Sequence, residues 1–385
     1  MTTPHLTAGF SRFLGADPER LHVAAHSHHP WPDVTLAAQL DAWHDAATMM
    51  DRKWIHVFDD VLPETRRWIA HRLGLPDPAD VVIAPNTHEL VMRILSCLDA
   101  PVRILTTAGE FISFERQVRR LAEDGLVQVR RIAVTPAATL TTRLADAAAA
   151  GDYDLLFFSH VLFESGVVVD LPTVVDAVPD RRPFVVIDGY HGFMAVPTDL
   201  STVADRVFYL AGGYKYAMAG EGACFAHCPP GYGPRPRDTG WFADFSALGA
   251  SADARITYAD AGQRFMGATF DPTALYRFNA VQRWLDAEGV VVDAIHDHVR
   301  RLQDRFLAAL ADARPTTLGT RAPVVVPSGR RRHGHLLAFD VPHAAEVTAA
   351  LARRNVVADH RGSRVRIGFG VYHEDRDLDR LLDRL

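Results

Sequence analysis

The sequence predicts an α/β protein. A large domain on a mostly parallel sheet is expected over residues 1–272, and a small C-terminal α+β domain over 273–385. Three observations carry this. Short apolar runs alternate with helical patterns through the middle of the chain, as expected of strands covered on both faces by crossover helices. Near 272 the pattern changes to two long helices and a group of strand candidates. At 385 residues, the chain also exceeds what one ordinary core accommodates.

Taken in order, the first seventy or so residues are helical and aromatic-rich and are expected to pack against both parts. "VVIA" (81–84), "VRILTT" (102–107), "DLLFFS" (154–159), "FVVID" (184–188) and "VFYLAG" (207–212) are short, apolar and turn-bounded, so they read as buried strands. Between them, "THELVMRILSCL" (87–98) places Leu90, Ile94, Leu95 and Leu98 on one helical face. "FERQVRRLAEDG" (114–125) ends at a glycine stop. The alanines around 144–150 add a mild helical bias, and Cys224 alternates with apolar neighbours as a buried strand residue would. Beyond 272, helices near 273–287 and 289–312 precede strand candidates "HLLAFDV" (335–341), "VVAD" (356–359) and "RVRIGFG" (364–370). A final amphipathic helix carries Leu378, Leu381, Leu382 and Leu385.

Composition narrows the class. Hydrophobic content of 48% and charged content of 23% are those of a soluble globular protein. A net charge of −6 argues against a general nucleic-acid binder. The one basic cluster, Arg330, Arg331 and Arg332, reads as a solvated loop between strands. Cys97, Cys224 and Cys228 form no regularly spaced framework, so a reducing cytoplasm is expected. The first twenty residues show neither an apolar signal core nor a cleavage site, and no apolar run approaches bilayer-spanning length.

Candidate chemistry concentrates at two strand ends. "FVVID" ends in Asp188, followed by Gly189, Tyr190 and His191. "VFYLAG" leads into "AGGYKYAMAGEG" (211–222), which sets Lys215 between Tyr214 and Tyr216 in a chain that otherwise favours arginine. Ligands of open α/β sheets gather beyond the carboxyl ends of the strands, so both side chains would face one crevice. A lysine amine can lose its proton and attack an aldehyde; arginine cannot. An aspartate suits a buried, protonated pyridine nitrogen. Together they are the two fixed points of a pyridoxal phosphate site. Asn86 and Thr87 in "APNTHELVM" open a helix after a strand, where a phosphate finds donors. Phe111 in "TTAGEFISFERQ" stands where a ring could lie on the pyridine. Each of these signals alone has a plain structural explanation: a turn, a surface charge, a helix cap, a core ring.

The order of elements and the motifs resemble the aspartate-aminotransferase-type fold of pyridoxal phosphate enzymes, in its class V branch, and within it the kynureninases. "GGYKYAMAG" is similar to their Ser-Tyr-Lys-Tyr-Leu-Asn-Ala-Gly, and "DGYH" to their Asp-Leu-Ala-His. "DTGWFADF" (238–245) resembles their Ala-Gly-Trp-Trp/Phe-Gly, "RFMGATFDP" (264–272) their Gly-Thr-Pro-Pro, and "HVAAHSHHPWP" their Leu-Asp-Gly-Asn-Ser-Leu-Gly.

The resemblance implies a role for each matching position. Lys215 binds the cofactor's aldehyde and moves protons, Asp188 pairs with the pyridine nitrogen, and His191 helps hold the ring. Asn86, Thr87 and Tyr214 bind phosphate, and Phe111 stacks on the ring. Trp241 and Thr269 reach the neighbouring subunit's site, which implies a homodimer. Ser27 lies by the substrate, and Arg366 clamps its carboxylate.

Departures fall on the substrate side. His26, His28 and His29 surround Ser27, "MGATF" replaces a segment with Asn or Ser, and Glu164 stands where a basic or neutral residue is usual. The three histidines read as a polar wall rather than a metal site. The implied activity is hydrolytic Cβ–Cγ cleavage of a kynurenine. A transaminase, epimerase or β-eliminating lyase is the alternative. A cysteine desulfurase is disfavoured because no cysteine follows Cys228. A binding protein that merely stores the cofactor would need no Arg366. A dinucleotide oxidoreductase lacks its glycine fingerprint.

Overall fold

The computed structural model describes residues 6–249, 255–312, 318 and 333–385. Arg330, Arg331 and Arg332 lie outside the described residues. The strands are β1 (Leu21–His22), β2 (Val81–Ala84), β3 (Val102–Thr107), β4 (Val127–Ile132), β5 (Leu155–Ser159), β6 (Phe184–Asp188), β7 (Val207–Gly212), β8 (Cys224–His227), β9 (Leu337–Asp340), β10 (Val356–Val357), β11 (Asp359–Arg361) and β12 (Arg364–Ile367).

Seven of them form the central sheet in the order β2-β8-β7-β6-β5-β3-β4. β3 to β7 run parallel, and β8 runs antiparallel to both β7 and β2. The five runs read from sequence are all strands here, each buried along nearly its whole length. β4 escaped that reading: "VQVRRI" is an edge strand whose Gln128, Arg130 and Arg131 face outward, so it lacks a continuous apolar run. The helix after β2 spans Thr87–Leu95 and the one after β3 spans Ile112–Glu123. The second gives way to Gly125, whose φ of 72° is left-handed.

The C-terminal strands form an antiparallel sheet, β11-β12-β9, while β1 pairs in parallel with β10 through Leu21 and Val356. Leu21 and Val23 thus share a core with Val299, Leu302, Phe306, Phe339, Val365, Ile367, Leu378 and Leu381. Helix Thr273–Ala287, expected in the small domain, instead buries Leu275, Phe278, Val281 and Leu285 in the large core with Val57, Leu62 and Ile69. Its apolar face continues the helical N-terminal region, which has the same periodicity. The core of the small sheet therefore starts at Val299, inside helix Val292–Asp312.

For function, the register matters most. Ser159 stands opposite Asp188, and Asp188 opposite Leu210, at the carboxyl ends of β5, β6 and β7. The chain then turns through Gly212 to Lys215. A Cβ on Gly212 would lie 2.3 Å from Tyr190 Oη and 2.5 Å from Cys224 Sγ, so only glycine lets the turn close on this crevice.

Candidate active site

A cavity of about 550 Å³ opens beyond these strand ends. Asn86, Thr87, Phe111, Asp188, His191, Tyr214 and Lys215 all line it, together with Ser159, Tyr190 and Cys224. Lys215 is buried, and its Nζ sits 2.7 Å from His191 Nε2. Three aromatic rings surround the amine, with centroids at 4.8 Å (Tyr190), 5.5 Å (Phe111) and 5.5 Å (Tyr214). Burial pushes the lysine down to about 7, opposed by the negative charge of Asp188 and assisted by the positive charge of Arg366. His191 is held well below the usual imidazole range by burial and by Lys215, so it is neutral and is the natural acceptor of an Nζ–H. An amine that loses its proton near neutrality is a nucleophile and a base.

Asp188 accepts the backbone N–H of Tyr190 at 2.9 Å. Its carboxyl is pushed up by burial, countered by that hydrogen bond and by Lys215. A half-buried carboxylate on a cavity wall wants a cation there. Across the cavity, helix Thr87–Leu95 presents its N-terminus, with Asn86 as cap accepting the N–H of Glu89 at 2.9 Å. The Asn86 side chain also donates to Glu89, so the cap leaves Thr87 and the backbone to meet an anion. A helix N-terminus, an aromatic ring, a half-buried carboxylate and an amine that readily loses its proton around one cavity fit pyridoxal phosphate group by group.

Four of the expected residues stand apart from this cavity. Trp241 and Thr269 are exposed on the surface, Trp241 stacked on Phe242. Ser27 lies in a turn beside His28, whose ring stacks on Tyr214 at 5.2 Å. Arg366 is buried and bound to Asp359 and to the carbonyl of Phe163. Of the other histidines, His26 meets Asp359, and His29 packs among Phe10 and Tyr372. Among the described residues, no group of three or more His, Cys, Asp or Glu is placed to hold a metal ion. Glu164 forms an ion pair with Arg364 at 2.9 Å.

One buried acid was overlooked. Glu110 accepts hydrogen bonds from Thr107 and from Ser159, the latter at 2.6 Å, and burial pushes it up to about 7. The available signal is a polar residue at one strand end, Ser159 in "LLFFS", and another just past the end of a second strand, Glu110 in "TTAGE".

The sheet and this site define a pyridoxal phosphate enzyme of the aspartate-aminotransferase type. The chain belongs to the aminotransferase class-V family, whose match covers residues 36–381. Its cofactor is pyridoxal phosphate, and it acts on amino acids. It is 26% identical to isopenicillin N epimerase of Streptomyces clavuligerus over 84% of each chain. Against kynureninase of Burkholderia mallei it is 28% identical, over 55% of this chain and 50% of that one. Among solved structures, it matches the cystine C–S lyase C-DES with a TM-score of 0.81 at 17% identity, covering 98% of both chains. A cysteine desulfurase from Thermococcus onnurineus matches with a TM-score of 0.79 at 18% identity, covering 100% of this chain and 97% of that one. At such identities these structures speak for the fold. Burial pushes the cavity cysteine, Cys224, up to about 11, so the protonated thiol is its favoured form.

Proposed function

We propose that the protein cleaves the Cβ–Cγ bond of a kynurenine-type amino acid hydrolytically, releasing an anthranilate-type acid and alanine. The observation that carries this is the aromatic wall around Lys215: with Phe111 assigned to the cofactor ring, Phe163, Tyr190 and Tyr214 still line the cavity and suit an aryl side chain. The Tyr214–Lys215–Tyr216 motif and the partial similarity to kynureninases support it.

When bound, pyridoxal phosphate supplies the electron sink for a pair released at Cα. The chain's own residues do the rest. Lys215, with a proton affinity near 7, takes the Cα proton and returns it. Asp188 would hold the proton on the pyridine nitrogen, and His191, 2.7 Å from the Lys215 amine, would orient it. The helix at Thr87 would anchor the phosphate, and Phe111 would cover the ring. Water adds its hydroxyl to the Cγ carbonyl, and the Cβ–Cγ bond breaks with its electron pair going to Cβ. Cβ takes up the proton that water gives up, so the aryl acid and alanine balance the water consumed.

The more extensive similarity to an isopenicillin N epimerase favours a second reading, proton transfer at Cα with no carbon–carbon cleavage. Mixing cofactor-loaded protein with L-kynurenine separates the two. Anthranilate fluorescence with turnover supports the first reading. A shift of the cofactor spectrum with exchange of the Cα hydrogen and no anthranilate replaces it with the second. A homodimer in which Trp241 and Thr269 approach the partner's phosphate site, and a cytoplasmic location, belong to the same proposal. Among the described residues no helix is long and apolar enough to cross a membrane.

A further inference from the structure

The geometry points to Asp359 as the positioning residue of Arg366, with His26 fixing Asp359 in turn, so that the guanidinium is presented with two free N–H groups to a substrate carboxylate. This rests on the reading above that the substrate is an α-amino acid and that Arg366 receives its carboxylate.

Asp359 and Arg366 are directly opposed in the register of β11 and β12, which places the two side chains on one face. Arg366 Nε donates to Asp359 Oδ1 at 2.8 Å, Nη2 donates to Oδ2, and Nη1 donates to the carbonyl of Phe163 at 2.7 Å. A guanidinium has five N–H groups. These three contacts leave one on each terminal nitrogen, the pair that a carboxylate takes up with both oxygens. Phe163 links this group to the cavity: it lines the wall, meets Phe111 edge-on at 5.5 Å, and its own ring lies 5.9 Å from the guanidinium.

His26 Nε2 lies 2.9 Å from Asp359 Oδ1 and, opposite a carboxylate, is the donor. The imidazole is fully buried, and Nδ1 has no partner, which fits a neutral ring protonated at Nε2. It is set there by the backbone: Ala24 bridges Gly368, and a Cβ on Gly368 would come within 2.3 Å of His26 Nδ1. Residues from the N-terminal segment and from the last sheet thus meet around one carboxylate. Held on two sides, Asp359 fixes a side chain that otherwise samples several rotamers.

The test reads binding, not turnover. Cofactor-loaded wild type, D359N, H26A and H26Q are titrated with L-kynurenine and L-alanine, and with the corresponding decarboxylated amines, following the cofactor spectrum. D359N should weaken the amino acids by about ten- to a hundredfold and leave the amines within about twofold. H26A, which removes no charge from the pair, should weaken the amino acids by about three- to tenfold, with H26Q close to wild type. Equal losses for amino acids and amines, or unchanged binding in both D359N and H26A, overturn the inference. So does tighter amino-acid binding in D359N, because Asp359 would then be masking Arg366. Should D359N fail to fold, the comparison of H26A with H26Q decides alone. Wild type that binds amines as well as amino acids ends the functional reading and this inference with it. Wild-type discrimination that survives both variants ends this inference only.

Discussion

The chain contains only two lysines, Lys53 and Lys215, so the proton affinity of the buried amine can be measured against an internal comparison. Lys53 is half-buried on a helix remote in sequence from the cavity, whereas Lys215 is enclosed by aromatic rings with its proton affinity lowered to about 7 from 10.5. At pH 7 about half of Lys215 is then the free amine, against roughly one in three thousand for an amine at 10.5. Cofactor-free protein is labelled with formaldehyde and a mild reductant at a series of pH values, and each lysine is quantified by peptide mass spectrometry. Lys215 labelling should reach half its plateau near pH 7, with Lys53 quantified in the same samples as the second labelling site. Asp188 raises the affinity of Lys215, so D188N should move that midpoint to lower pH. A Lys215 midpoint near 10 would refute the burial argument. A midpoint that rises in D188N would refute the assigned role of Asp188.

Three further outcomes can be measured on the same protein. D188N leaves a buried pyridinium unpaired, at a cost of about 3–5 kcal/mol, so retention of pyridoxal phosphate on equilibrium dialysis should fall by two or more orders of magnitude; unchanged retention would reject the pairing. Glu110 has a folded affinity near 7 against 4.5 unfolded, so its protonated form is favoured by the fold. Its penalty is absent below about pH 4.5 and grows to at most about 3 kcal/mol as pH rises through 7. E110Q should therefore raise the Tm at pH 8 and leave it unchanged at pH 4.5, and equal effects at both would disprove this. If Trp241 lies at a subunit contact, W241A should shift sedimentation toward the monomer and weaken cofactor retention together, whereas a shift in neither would remove it from the interface.

Much of the fold was legible because β2, β3, β5, β6 and β7 are buried on both faces and are written as unbroken apolar runs. β4 was not, because an edge strand with Arg130 and Arg131 facing outward looks like a polar turn. The affiliation of helix Thr273–Ala287 was also hidden. Its buried Leu275, Phe278 and Val281 show that one face is covered, but periodicity does not say which core covers it.

The same asymmetry runs through the site. Lys215 and Asp188 were readable because their chemistry is rare and their places at strand ends are fixed by the sheet. Glu110 carries no such mark in sequence, since an acid after a strand is ordinary until Ser159 from a neighbouring strand is seen to enclose it. Arg366 shows the limit most sharply. Its position in "RVRIGFG" was evident, yet what it can still bind depends on Asp359, seven residues earlier, and on His26 from the far end of the chain. On the proposed reading, the cofactor side is thus defined by local strand ends, and the substrate side by contacts between segments distant in sequence. If Arg366 receives the substrate carboxylate, a substitution at His26 retunes substrate recognition while every cofactor motif stays intact, and the departures around "HSHH" fall on that side.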